Sequence, residues 1–121
     1  MPTMAWDKGY ECPECEKSLT LDEDFSNRTW LCTKCSNPIH IHAADDKDNS
    51  YTLLRLPAKS LQVGDMVLLG AKLDKNYPVL SSQSAGKGQW RLALKEYRAI
   101  TVDADDHYSI VIGGWSGKSS Y

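Results

Sequence analysis

The chain has 121 residues, room for one domain or two very small ones, and its 41% hydrophobic and 25% charged content is ordinary for a folded chain. A formal charge of -2 gives no overall support to a nucleic-acid partner, and no stretch approaches the roughly 20 apolar residues of a membrane helix. The charge is unevenly placed: residues 1–50 hold five Lys/Arg against ten Asp/Glu, and residues 51–121 hold nine against six. An acidic first part and a mildly basic second part point to two modules with different partners.

Residues 1–11 read as a lead-in without an apolar signal core, so a cytoplasmic location and reduced thiols are expected. The next 24 residues contain all four cysteines in two close pairs, Cys12-Pro13-Glu14-Cys15 and Cys32-Thr33-Lys34-Cys35. Two residues between cysteines let a tight turn aim both thiolates at one ion, and two such knuckles complete a tetrahedron. One structural Zn²⁺ is therefore expected on Cys12, Cys15, Cys32 and Cys35. With four cysteine ligands no position stays open for water or substrate, which weighs against catalysis at the metal. The knuckles and the segment Trp30-Leu31 before the second one resemble the zinc-ribbon family, over about the first 45 residues. That resemblance implies two knuckles on a small antiparallel sheet and no single function.

Between the knuckles, residues 18–21 and 28–31 read as short strands around an acidic turn at Asp22, Glu23 and Asp24. Residues 39–43 alternate apolar and polar side chains, a strand pattern that puts His40 and His42 on one face, expected to be the solvent face. The charged stretch that follows has no hydrophobic residue and reads as a linker. The expected division is a zinc ribbon at 1–45, an acidic linker at 46–52 and a second β module at 53–121.

In that module, residues 51–56 read as a strand stopped by Pro57, and Val63-Gly64-Asp65 as a turn. Residues 66–69 form a buried strand closed by Gly70, and 77–80 a further strand. Residues 81–88 read as a polar Gly/Ser-rich loop, and 89–102 as one long strand bent by a bulge near Lys95 and Glu96, or as a strand with a short helix across 91–98. A turn at 103–106 leads to a last strand at 107–112, ended by Gly113-Gly114, and the tail 116–121 reads as frayed. Many short strands with turns between them indicate a mostly β protein, with the ribbon followed by a small curved sheet or an SH3-like or Hint-like barrel.

The run Leu56-Pro57-Ala58-Lys59-Ser60-Leu61-Gln62-Val63-Gly64-Asp65-Met66-Val67-Leu68-Leu69 resembles a segment of Hint domains, the fold of inteins and hedgehog autoprocessing domains. The chemistry of that family is missing. Every cysteine is committed to a knuckle, and Thr101 is not followed by a histidine at the third place. His107 beside Asp105 and Asp106 reads as an exposed turn before a strand rather than as an acid–base group, and Gly86-Lys87-Gly88 lacks the setting of a phosphate loop. Lys87, Trp90, Arg91, Lys95 and Arg98, with Tyr97 between them, are candidates for a basic and aromatic binding face, although Trp90 and Tyr97 read first as core anchors with the charges on an outer strand face; Trp115 either closes the barrel end or anchors a partner. The expected function is non-catalytic binding, as an adaptor or regulator, with the partner a protein or a nucleic acid and self-association possible. An altered autoprocessing domain is the remaining alternative.

Overall fold

The computed structural model describes residues 3–69 and 73–115. Nine strands follow in chain order: β1 (Asp7–Cys12), β2 (Lys17–Ser18), β3 (His40–Ala44), β4 (Ser50–Pro57), β5 (Met66–Leu68), β6 (Tyr77–Gly86), β7 (Gln89–Leu94), β8 (Ala99–Asp103) and β9 (His107–Gly114). They form one antiparallel sheet in the order β2-β1-β3-β4-β9-β5-β6-β7-β8. A single 3₁₀ turn, Ala58–Ser60, links β4 to the loop before β5. Among the described residues no helix is long and apolar enough to cross a membrane.

The sheet is not closed into a barrel, which corrects the barrel expectation: β2 and β8 are free ends of the strand order. It is nevertheless curved. Leu92 and Leu94 of β7 share a cluster with Ile110 of β9 and with Leu54 and Leu56 of β4. In a flat sheet β4 and β7 would stand about 19 Å apart at about 4.8 Å per strand, out of side-chain reach.

Alternation along the central strands sends side chains to two cores. Leu53 of β4 and Leu68 of β5 join Trp6, Phe25, Trp30, Ile39 and Ile41 on one face. Their neighbours Leu54 and Val67 join Val79, Leu92 and Ile110 on the other. Consecutive residues of one strand point to opposite faces, so the two clusters sandwich the centre of the sheet. The aromatics Trp6, Phe25 and Trp30 are all buried.

Several local readings change. Residues 7–11, read as lead-in, form β1 together with Cys12, and β1 pairs with both β2 and β3. Residues 28–31 form no strand and are held by an isolated bridge between Leu31 and Pro38. The stretch read as a linker turns β3 into its neighbour β4: the Asp45 carboxylate accepts the N–H groups of Lys47 and Asn49 at 2.9 and 3.0 Å. The long strand at 89–102 is the hairpin of β7 and β8, with Glu96 at φ 61 in its turn. The Gly/Ser-rich residues 81–86 are strand, because β7 pairs along them. Gly113 and Gly114 continue β9 rather than ending it. Gly70 and the tail 116–121 lie outside the described residues.

Candidate functional site

The four cysteines converge from two turns at the end of β1 and in the long loop before β3. All four Sγ atoms lie within 4.8 Å of one another. Cys12 and Cys35 approach to 3.4 Å, and Cys15 and Cys32 to 3.9 Å. A tetrahedral Zn²⁺ with Zn–S bonds of about 2.3 Å would set sulfur–sulfur edges of about 3.8 Å, so the donor set fits one zinc ion. The Cys15 N–H points at Cys12 Sγ at 3.4 Å, the bond that lets a short turn carry two thiolates. Cys12 and Cys32 are buried, and Cys15 and Cys35 half-buried.

The electrostatics of the four thiols are unequal. The Asn37 N–H directed at Cys35 pulls its thiol down to about 7, whereas burial pushes Cys15 up to about 12 and raises Cys12. An incoming cation must displace the thiol protons. The acidic turn between the knuckles has a structural task. Asp24 accepts the Thr20 N–H at 2.8 Å and the Lys17 ammonium at 3.3 Å, while its carbonyl accepts the Thr33 N–H and hydroxyl at 3.0 and 2.9 Å. Thr33 lies inside the second knuckle, so this residue ties the two knuckles together. Its carboxyl is held below the usual range, first by the Thr20 N–H.

His42 departs from the expected solvent face. It is buried, its Nε2–H donates to Glu11 Oε1 at 2.6 Å, and its ring stacks on Trp115 with centroids 5.0 Å apart. Glu11 is itself buried, and among the described residues its second oxygen has no hydrogen-bond partner. His40 is half-buried, and burial lowers its pKa. Among the described residues no grouping other than the four cysteines gathers three or more metal-ligating side chains. Trp115, half-buried, covers His42.

The basic and aromatic residues proposed as one face are scattered. In β7, Trp90 lies on the side of Leu92 and Leu94, packed against the second core, and its Nε1–H donates to Ser82 Oγ at 2.8 Å. Arg91 points to the opposite, exposed side, between Gln83 and Thr101. Lys87 sits in the turn before β7, and Lys95 and Arg98 in the turn after it. A six-residue strand separates these two groups by about 20 Å. Tyr97 packs on Tyr77, with centroids 5.0 Å apart, and Arg98 lies 5.5 Å over the Tyr97 ring.

Sequence reasoning missed the most buried ionic feature. Arg55 is 0% exposed, and its two terminal nitrogens donate to Asp7 at 2.7 and 2.6 Å. Its Nε–H donates to Ser109 Oγ at 2.9 Å, and its guanidinium lies 4.3 Å from the Trp30 ring and 5.3 Å from Trp6. Asp7 also accepts from the Tyr10 hydroxyl at 2.9 Å. Burial, and then that bond, hold the Tyr10 phenol protonated well above its ordinary pKa.

Beside this clasp a cavity of about 470 Å³ separates the loop carrying Thr29, Leu31 and Pro38 from the end of β4. His107 borders it, with a pKa lowered by burial, and Asp105 is engaged by Lys59 at 2.7 Å.

Neither a family model, nor a curated protein, nor a solved structure matches this chain.

Proposed function

We propose that this chain is a non-catalytic protein-binding module, a zinc ribbon built into the end of a curved β-sheet, with one structural Zn²⁺ on Cys12, Cys15, Cys32 and Cys35. The all-thiolate donor set supports the structural role of the metal, because four protein ligands fill a tetrahedron and leave no site for substrate.

The observation that carries protein binding is an exposed apolar group around the first half of β6. Val63, Leu80 and Tyr97 are 69%, 55% and 47% exposed. Two backbone bonds tie the segments that carry Val63 and Tyr97 to β6: Gly64 N–H to the Val79 carbonyl and Lys95 N–H to the Pro78 carbonyl, each 2.9 Å. Large exposed apolar side chains favour a protein surface, and Tyr is among the side chains that most often anchor one. Phosphate binding is less well supported, because the candidate cations are spread over two turns and Glu96 lies between Lys95 and Arg98.

The test compares the natural chain with a Val63→Asp, Leu80→Asp, Tyr97→Asp variant in proximity labelling within cells, with zinc content verified for both. The expected result is a set of protein neighbours lost in the variant. An unchanged set would sink the assignment of this surface. Tight, salt-sensitive binding of labelled single-stranded RNA or DNA that Arg91→Glu abolishes would move the function to nucleic acid.

A further inference from the structure

The two ends of the sheet are built differently. At one end β2 is only two residues long, and its Lys17 is tied to Asp24. At the other, β8 presents five residues, Ala-Ile-Thr-Val-Asp, with no proline, no lysine and no shift of register against β7. Natural sheets blunt their free edges with short strands, inward charges, prolines or bulges. By that measure β2 is protected and β8 is open.

The phase of the open edge follows from two bonds that bracket it. Leu94 N–H donates to the Arg98 carbonyl at 3.3 Å, and Ala104 N–H to the Gly88 carbonyl at 2.9 Å. Antiparallel ladders alternate, so the even-numbered residues of β8 turn their backbone groups to β7. Ala99 and Thr101 therefore direct N–H and C=O groups away from the sheet, as Asp103 does its N–H, and among the described residues no strand receives them; the Asp103 carbonyl accepts the Asp106 N–H at 3.1 Å. Ile100 and Val102 are half-buried against the second core, so its apolar layer runs up to this edge and stops there.

We propose that β8 pairs antiparallel with β8 of a second copy of this chain, about a two-fold axis at Thr101. The charge pattern along the strand selects this occupant and direction. β8 is preceded by Arg98 and ends on Asp103, with Asp105 and Asp106 just beyond. Antiparallel self-pairing sets each basic start beside the acidic end of the other copy, whereas parallel pairing sets like against like. In this register Thr101 faces Thr101, Ala99 faces Asp103 without a clash of charge, and Ile100 faces Val102, which carries the apolar layer across the junction. The contact is isologous and closes at two copies, because the far ends of the joined sheet are the protected β2 edges. It is independent of the surface around Val63, Leu80 and Tyr97, although Tyr97 lies close to where it begins.

The test is sedimentation equilibrium of the zinc-loaded full chain over a wide concentration range. A monomer–dimer equilibrium is expected. Thr101→Pro removes an outward N–H while leaving the ladder to β7 intact, and should weaken dimerisation at least about tenfold. Thr101→Lys keeps the N–H but sets two ammonium groups facing each other on the axis, and should do the same. If the proline variant loses zinc or sheet content, the lysine variant decides. A natural chain that stays monomeric throughout, or a dimer of unchanged strength in a folded Thr101 variant, overturns the proposal.

Discussion

Arg55 brings a full charge between two indole rings at the centre of the protein, and its tolerance there rests on Asp7, Ser109 and the faces of Trp6 and Trp30. A buried ion pair gains little over a well-packed apolar pair, but removing one partner leaves the other uncompensated. Arg55→Met should therefore cost about 3–5 kcal/mol, read by urea unfolding at constant zinc, and Arg55→Met with Asp7→Leu should recover a large part of that loss. Equal losses in the single and double variants would show that packing against the indoles, not charge, is what the arginine supplies. Nothing in the sequence marked this pair, whose members stand 48 residues apart. The alternation of β4 placed Arg55 on the face of Leu53, but a lone arginine in an apolar strand is ordinarily taken as its wet face. His42 misled for the same reason. Its periodicity was legible, and its burial was not, because Glu11 belongs to a strand that has no apolar alternation of its own.

The two knuckles are the most legible elements, since spacing alone brings their ligands together. Their backbones also repeat: the residue after each second cysteine, Glu16 and Ser36, has φ 53 and 62. Left-handed backbone costs a side-chain-bearing residue about 1 kcal/mol, which glycine avoids, although glycine also raises the entropy of the unfolded chain. Glu16→Gly and Ser36→Gly should each raise the melting temperature of the zinc-loaded protein by roughly 2–6 °C. A fall would mean that these exposed side chains make a contribution of their own. The β7–β8 hairpin was illegible by contrast. Its turn, Lys95-Glu96-Tyr97-Arg98, contains no Gly, Pro, Asn or Asp, and the positive φ falls on a glutamate. Residues 81–86 have the composition of a loop, yet extend because a partner strand is available, a case of tertiary context overriding propensity.

At the scale of the whole molecule, the mostly β class and the curvature were readable from the density of short strands, while the order of those strands was not. The four-cysteine module is not an appendage. Cys12 and Cys32 share a core with Leu53 of β4 and Leu68 of β5, and Trp30 from the loop between the knuckles covers Arg55. Native mass spectrometry should find one zinc per chain, and a strong chelator should abolish amide-exchange protection in β4 and β9 together with that of the knuckles. Persistent protection of β4 and β9 after metal removal would show that the sheet stands without the four-cysteine module.

The position of β9 sets the order in which this protein can come into being. It is the last described strand in the chain and the fifth of nine across the sheet, between β4 and β5. A growing polypeptide emerging from the ribosome therefore releases both flanks, β1 to β4 and β5 to β8, before the strand that joins them. Until then the inner edges of β4 and β5 lie open, the interval in which such a chain is most prone to wrong pairing and most in need of a chaperone.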